Sequence, residues 1–223
     1  MTAAAPAKPL KDQYRWALWL VLAINVSILG AVVQGGETIP DLTGLISRAA
    51  GLLPVGLACI ATAIANGLLS ATMKARLLFL RWHHALPGHR AFSQLARSDP
   101  RIDLGRLKKA LGNAFPDTPE AQNTAWYRLF KAVEAAPEIQ HSHREFLFAR
   151  DYTGLAALIL LVFSAVACTE APTRKVAGFY TLALVVQYLL ARQAAAAYGA
   201  RFVCTVMAVR SSRPPRTAAK SKA

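Results

Sequence analysis

All five histidines of the chain, His83, His84, His89, His141 and His143, fall in one polar segment, residues 74–151. Imidazoles gathered in this way invite two chemistries, a metal centre or a proton-driven switch near neutral pH. The spacing favours neither. His141-x-His143 is not the i, i+4 pair that puts two ligands on one helix face, and few carboxylates stand nearby. Exposed or hydrogen-bonded histidines near a headgroup layer are therefore expected. Asp99 and Asp103, flanking Pro100-Arg101-Ile102, can be posed as paired carboxylates for acid/base work, but aspartate favours turns and helix N-caps, and that is the role expected of them. No His-Glu-x-x-His, Gly-x-Ser-x-Gly or Gly-x-x-x-x-Gly-Lys-Ser/Thr sequence is present. No enzyme activity and no cofactor are expected.

A third constellation lies in an apolar stretch. Cys59, Ala63, Gly67 and Ala71, beside Ala58, Thr62, Asn66 and Ser70, recur every four residues, while Leu53, Leu57, Ile60, Ile64 and Leu68 fall along the opposite face. Small residues at a period of four let membrane helices approach closely. The row packs either on helices of the same subunit or around an oligomer axis, where Thr62, Asn66 and Ser70 would line a pore. Asn25 and Gln187 are further candidates for interhelical hydrogen bonds.

The elements that carry these residues follow from composition. The chain has 223 residues, 54% of them apolar and 17% charged, with a mean hydropathy of +0.31 and a formal charge of +14. Apolar and basic residues occupy different stretches. Residues 16–33 and 49–73 carry no charge and are long enough to cross a hydrocarbon core of about 30 Å. A third uncharged run covers 152–169 and a fourth 176–191, the last extended as a helix to Val209. The first run exceeds a signal-peptide core and no small-x-small cleavage site follows it, which predicts a signal anchor. Cys59, Cys168 and Cys204 are too few and too scattered for a disulfide framework. No Asp, Glu, Lys or Arg lies at the centre of a span, which disfavours an ion-coupled carrier.

The expected fold is an all-α integral membrane protein, four transmembrane helices with a small helical cytoplasmic domain (74–151) inserted between helices 2 and 3. Lys and Arg number 23 across the segments 1–15, 74–151 and 192–223, against Arg48, Arg174 and Lys175 in the loops 34–48 and 170–175. The positive-inside rule then places both termini in the cytoplasm of a bacterial inner membrane. Within 74–151, Asp103 is expected to cap a helix ended by Gly112-Asn113 and Thr118-Pro119 to open another. Pro137 is expected to start a helix that runs into the third span. If span two also continues as a stalk to Leu86-Pro87, counting residues from the membrane places His83, His84, His141 and His143 at one level, about 15 Å below the interface. The same count pairs Arg81 with Glu145. The tail 210–223 is basic, free of acids and expected to be disordered. Arg210 to Lys222 suit anionic lipid, with nucleic acid the less favoured partner.

In layout alone the chain is similar to small multi-span proteins of bacterial operons, including antiphage systems in which a membrane protein works beside a soluble sensor or effector. The leading expectation is an oligomeric membrane scaffold, sensor or effector that presents 74–151 to a cytoplasmic protein. A pore-forming channel or membrane-disrupting effector is the first alternative, and a metal-dependent membrane enzyme the second.

Overall fold

The computed structural model describes residues 14–35 and 52–212, and every regular element among them is helical. The segment before Tyr14, most of the loop 34–48 with Arg48, residues 49–51 and the tail from Arg213 lie outside the described residues. The helices are α1 (Arg15–Val33), α2 (Leu53–Leu68), α3 (Ala71–Phe79), α4 (Leu104–Ala110), α5 (Pro119–Val133), α6 (Pro137–Glu170) and α7 (Arg174–Ser212). Short 3-10 and π turns cover Pro87–Arg90 and Ala91–Leu95, and a single α-helical turn, Ala96–Ser98, follows them.

By length and composition α1 and α6 can cross a membrane, and α2 with α3 makes a third span if that bent pair is counted as one. These helices mark a membrane protein. Although α7 has 39 residues, its uncharged stretch 176–191 includes Tyr180, Gln187 and Tyr188, and it falls short of the apolarity of α1 and α6.

Span two departs most from expectation. In place of an unbroken helix from 49 into a stalk, α2 stops at Leu68, Leu69 is extended (ψ 114°), and α3 leaves at 104°. The Ser70 hydroxyl accepts the Met73 amide at 3.2 Å, so a serine read as part of a packing row starts a new helix. The helix α3 then ends at Phe79, and Leu80 adopts a left-handed φ of +48°. There is no stalk through Arg81 and His84, and the depth count that relied on it fails.

The chain divides into two compact units. One comprises Met1–Leu78 with Leu147–Ala195. Its core joins Leu22 and Leu29 of α1, Val55 and Ala58 of α2, Leu155, Ile159, Phe163 and Ala167 at a four-residue period on α6, and Ala177, Tyr180 and Leu184 of α7. Large apolar side chains point outward as well: Trp16, Trp19, Ile24, the whole row Leu53, Leu57, Ile60, Ile64 and Leu68, then Phe179 and Leu190. Contiguous exposed leucine and isoleucine of this extent suit hydrocarbon as the surrounding medium.

The other unit takes Phe79–Phe146 and begins again at Ala196 on α7. Its capping follows the sequence. Asp103 Oδ1 accepts the Arg106 amide at 2.9 Å to start α4, which Gly112 (φ +86°) and Asn113 (φ +70°) terminate. Thr118 Oγ1 accepts the Ala121 amide and Pro119 opens α5. Phe202 of α7 fills the centre, edge-on to Trp126 and Phe130 and stacked on His143 and Phe146. Buried Gln122 braces the turn before α4: its Oε1 accepts from the Phe92 amide, the Ser93 amide and the Ser93 hydroxyl at 3.1–3.2 Å.

Candidate functional site

A carboxylate is costly to bury unless donors surround it. Asp151, on α6 just before its uncharged run, is buried and surrounded. Its Oδ1 accepts from Arg150 Nε and Nη2 at 3.2 and 3.0 Å and lies 3.5 Å from Lys74 Nζ of α3. Its Oδ2 accepts from the Tyr14 hydroxyl at the N-cap of α1, 3.1 Å away. Burial, reinforced by the neighbouring carboxylate, pushes the Tyr14 phenol well above its ordinary range, so it remains a donor. The three ionic side chains are each only about a tenth exposed.

The supporting contacts are local. The Tyr14 ring meets Phe148 edge-on at 5.6 Å. The Lys74 stem crosses α6 at Gly154, where a Cβ would stand 3.1 Å from Lys74 Cγ. Glycine there keeps the path to Asp151 open. Tyr188 of α7 donates to the Leu77 carbonyl at 2.8 Å, tying the end of α3 into the same unit.

Beside this cluster lies a cleft of about 490 Å³. Tyr14, Arg15, Lys74 and Asp151 form its polar end, Leu18, Trp19, Leu22 and Leu155 its apolar wall, and Ala63, Asn66 and Gly67 the α2 side. Asn66 Oδ1 is covered and has no hydrogen-bond partner.

The small-residue row of α2 thus divides among three environments. Thr62 is fully buried in its own unit with Oγ1 unpartnered, and Cys59 and Ala63 pack against the core. Ala63, Asn66 and Gly67 border the cleft, and Ser70 is a cap. Asn25 bonds the Val21 carbonyl of its own helix at 2.9 Å, whereas Gln187 does reach another helix, donating to the Tyr152 hydroxyl at 3.3 Å.

No known protein family, curated protein or solved structure matches this chain.

The expected stalk pair and histidine level are not assembled. Glu145 pairs with His141 on its own helix at 3.4 Å, and Arg81 does not reach it. His83 and His84 neighbour each other, and His84 lies 5.0 Å from the His89 ring and 3.2 Å from Glu120. His143 is instead part of the aromatic core on Phe202, and among the described residues no three His, Cys, Asp or Glu side chains converge as a metal site. Asp99 and Asp103 have separate tasks: the Arg101 guanidinium holds Asp99 below its ordinary range, and Asp103 caps α4.

The Asp151 cluster was not singled out in the sequence, although a signal exists. Arg15, Lys74 and Asp151 are each the charge that borders an uncharged run, and charges bordering adjacent spans share a level. The neutral partner, Tyr14, carried no such mark.

Proposed function

We propose that the chain is an oligomeric scaffold, sensor or effector of a bacterial inner membrane, crossing it four times with both termini in the cytoplasm. In this reading α7 supplies the fourth span, and the unit built on Phe79–Phe146 is presented to a soluble partner. One observation carries the proposal. That unit has an aromatic core of its own and still leaves Leu80, Trp82 and Tyr127 half exposed or more. Exposed aromatic side chains beside Arg81 and Arg128 have the composition of a protein-binding surface. The layout's similarity to membrane components that work beside a soluble sensor or effector agrees with this. A pore lined by Thr62, Asn66 and Ser70 draws less support, because Thr62 is covered within one chain and Ser70 is used as a cap.

Purification in mild detergent with chemical crosslinking tests the reading. An oligomer is expected, with a soluble protein crosslinked to residues 79–146 and lost from Trp82→Ala/Tyr127→Ala while the oligomer persists. A strict monomer without a partner overturns it. A reporter fused to the C-terminus that is active only outside the cytoplasm overturns the four-span topology.

A further inference from the structure

Between the end of α3 and the turn at Pro87 the chain runs outside any regular element, with Leu80 and His84 both at left-handed φ, +48° and +49°. Leu80, Arg81, Trp82, His83 and His84 are all exposed there. We propose that this face, Leu80 to Trp82 together with Arg90, binds an acidic segment of the soluble partner, a carboxylate seated between Arg81 and Arg90 and a neighbouring apolar side chain against Leu80 and Trp82.

The reason lies in what the two arginines lack. Arg90 is partly buried: its guanidinium carbon lies 5.7 Å from the centre of the Phe79 ring, and its Nε is covered and makes no hydrogen bond. The charge that acts on it is another cation. Burial, and then repulsion by Arg81, pulls the Arg90 guanidinium below its ordinary range. Among the described residues neither arginine has a carboxylate partner, and Glu120, the acid at this loop, is engaged by His84 at 3.2 Å. Two guanidiniums within each other's field and without an anion are a receptor for one, and the planar fork of arginine matches a carboxylate with two parallel hydrogen bonds.

The surface is preformed. Ala85, Pro87 and Gly88 are buried, His89 Nδ1 donates to the Pro119 carbonyl at 3.0 Å and His84 lies against Glu120, so the loop is seated on the start of α5 and little ordering is left to be done on binding. Leu80 and Trp82, 61% and 67% exposed, supply apolar area beside the charge. Tryptophan and arginine are the side chains that most often dominate protein interfaces. A membrane surface or a nucleic acid suits this face less. Each recruits cations in number and free of acids, the composition of Arg210 to Lys222, whereas here two arginines stand with Glu120. Free phosphate would leave Leu80 and Trp82 unused.

This inference rests on the scaffold reading in taking 79–146 to face a soluble partner, and it names that partner's chemistry. The test is selection from a random peptide library displayed on phage, with the full chain in phosphatidylcholine nanodiscs as bait. Enriched peptides are expected to carry Asp or Glu next to Leu, Phe or Trp. They are expected to bind Arg81→Glu and Arg90→Gln about ten- to a hundredfold more weakly, the worth of a charge-assisted hydrogen bond. Arg81→Glu also supplies Arg90 with an anion from within the chain, so its melting temperature is expected to stay at or above the parent's while peptide binding is lost, a pair of results that misfolding does not give. A selection that yields neutral or basic peptides or none, undiminished binding by the folded variants, or a lowered melting temperature for Arg81→Glu overturns the proposal. So does complete displacement of the selected peptide by phosphatidylglycerol vesicles but not by phosphatidylcholine vesicles, which marks a membrane surface. Crosslinking separates the two readings: a soluble partner still captured by Arg81→Glu/Arg90→Gln sinks this one and leaves the scaffold standing, whereas peptides that bind as expected with no partner captured by the parent chain do the reverse.

Discussion

Replacing Asp151 with asparagine keeps the shape of the side chain and removes the charge on which three helices converge. Arg150 and Lys74 then remain about nine-tenths buried with no anion between them, while Tyr14 can still donate to the new amide oxygen. Breaking a buried ion pair from one side costs about 3–5 kcal/mol. Long stems let Lys74 and Arg150 carry some charge toward water, which sets the expectation at the lower end, about 3 kcal/mol. For a chain of this length each kcal/mol lowers the melting temperature by about 2–4 °C, so Asp151→Asn is expected to melt about 6–12 °C lower. The assay is thermal unfolding in detergent, read by size-exclusion chromatography after heating. The second arm is Lys74→Met. Alone it leaves Asp151 with Arg150 and Tyr14 and is expected to cost about 1 kcal/mol; combined with Asp151→Asn it removes an uncompensated cation and should recover part of the loss. A melting temperature for Asp151→Asn within 2 °C of the parent, or simple additivity in the double variant, would refute the assignment of Asp151 as the tie between α1, α3 and α6.

Gln122→Leu leaves the Phe92 and Ser93 amides and the Ser93 hydroxyl without their shared acceptor, and is expected to cost about 2–3 kcal/mol; hydrogen exchange should quicken first at those two amides. Gly88→Ala drives a Cβ into Asn123 Oδ1 and to 3.1 Å from the Trp126 ring, an overpacking of about 1–3 kcal/mol that Asn123→Ala relieves only in part, as chemical unfolding of the two variants would show. Cys204 is buried and burial pushes its thiol up to about 11, so it stays protonated at neutral pH. Alkylation followed by peptide mass spectrometry should find Cys204 slow at pH 7.5 and faster as pH approaches 11, with Cys168, which is exposed, ahead of it at neutral pH; rapid neutral labelling of Cys204 in folded protein would contradict its placement.

Elements with local signals were legible in the sequence. Asp103 and Thr118 cap the helices they were expected to cap, Gly112-Asn113 ends α4, and Pro137 opens a helix that continues to Glu170. The apolar row of α2 is outward and its small residues are largely inward. What could not be read was the end of α2. No proline marks it, and the break depends on Ser70 using its hydroxyl on the backbone, a choice that mid-helix serines usually decline. Every inference that required a straight stalk, Arg81 with Glu145 and the shared histidine level, failed with that break and the second one at Leu80. The candidate site was half visible: Ala63, Asn66 and Gly67 were singled out for their size and polarity, but the ionic group opposite them comes from three distant segments. His143 shows the same limit, since nothing local announces that a histidine will stack on Phe202.

The chain passes between the two units three times, at residues 78/79, 146/147 and 195/196, and each passage falls inside a helix, α3, α6 or α7, and not in a loop. During synthesis, therefore, the segment 79–146 leaves the ribosome without Phe202, Val203, Val206 and Met207, all buried in its finished core. Roughly 50 residues separate the two contributions, which at about 5–20 residues per second is an interval of about 2.5–10 seconds. Through that interval Phe130, His143 and Phe146 lack the ring that covers them, and the nascent segment has every reason to seek a chaperone. Expressed alone, 79–146 should behave as a sticky half-domain, and a peptide of residues 196–212 supplied in trans is the natural complement to it.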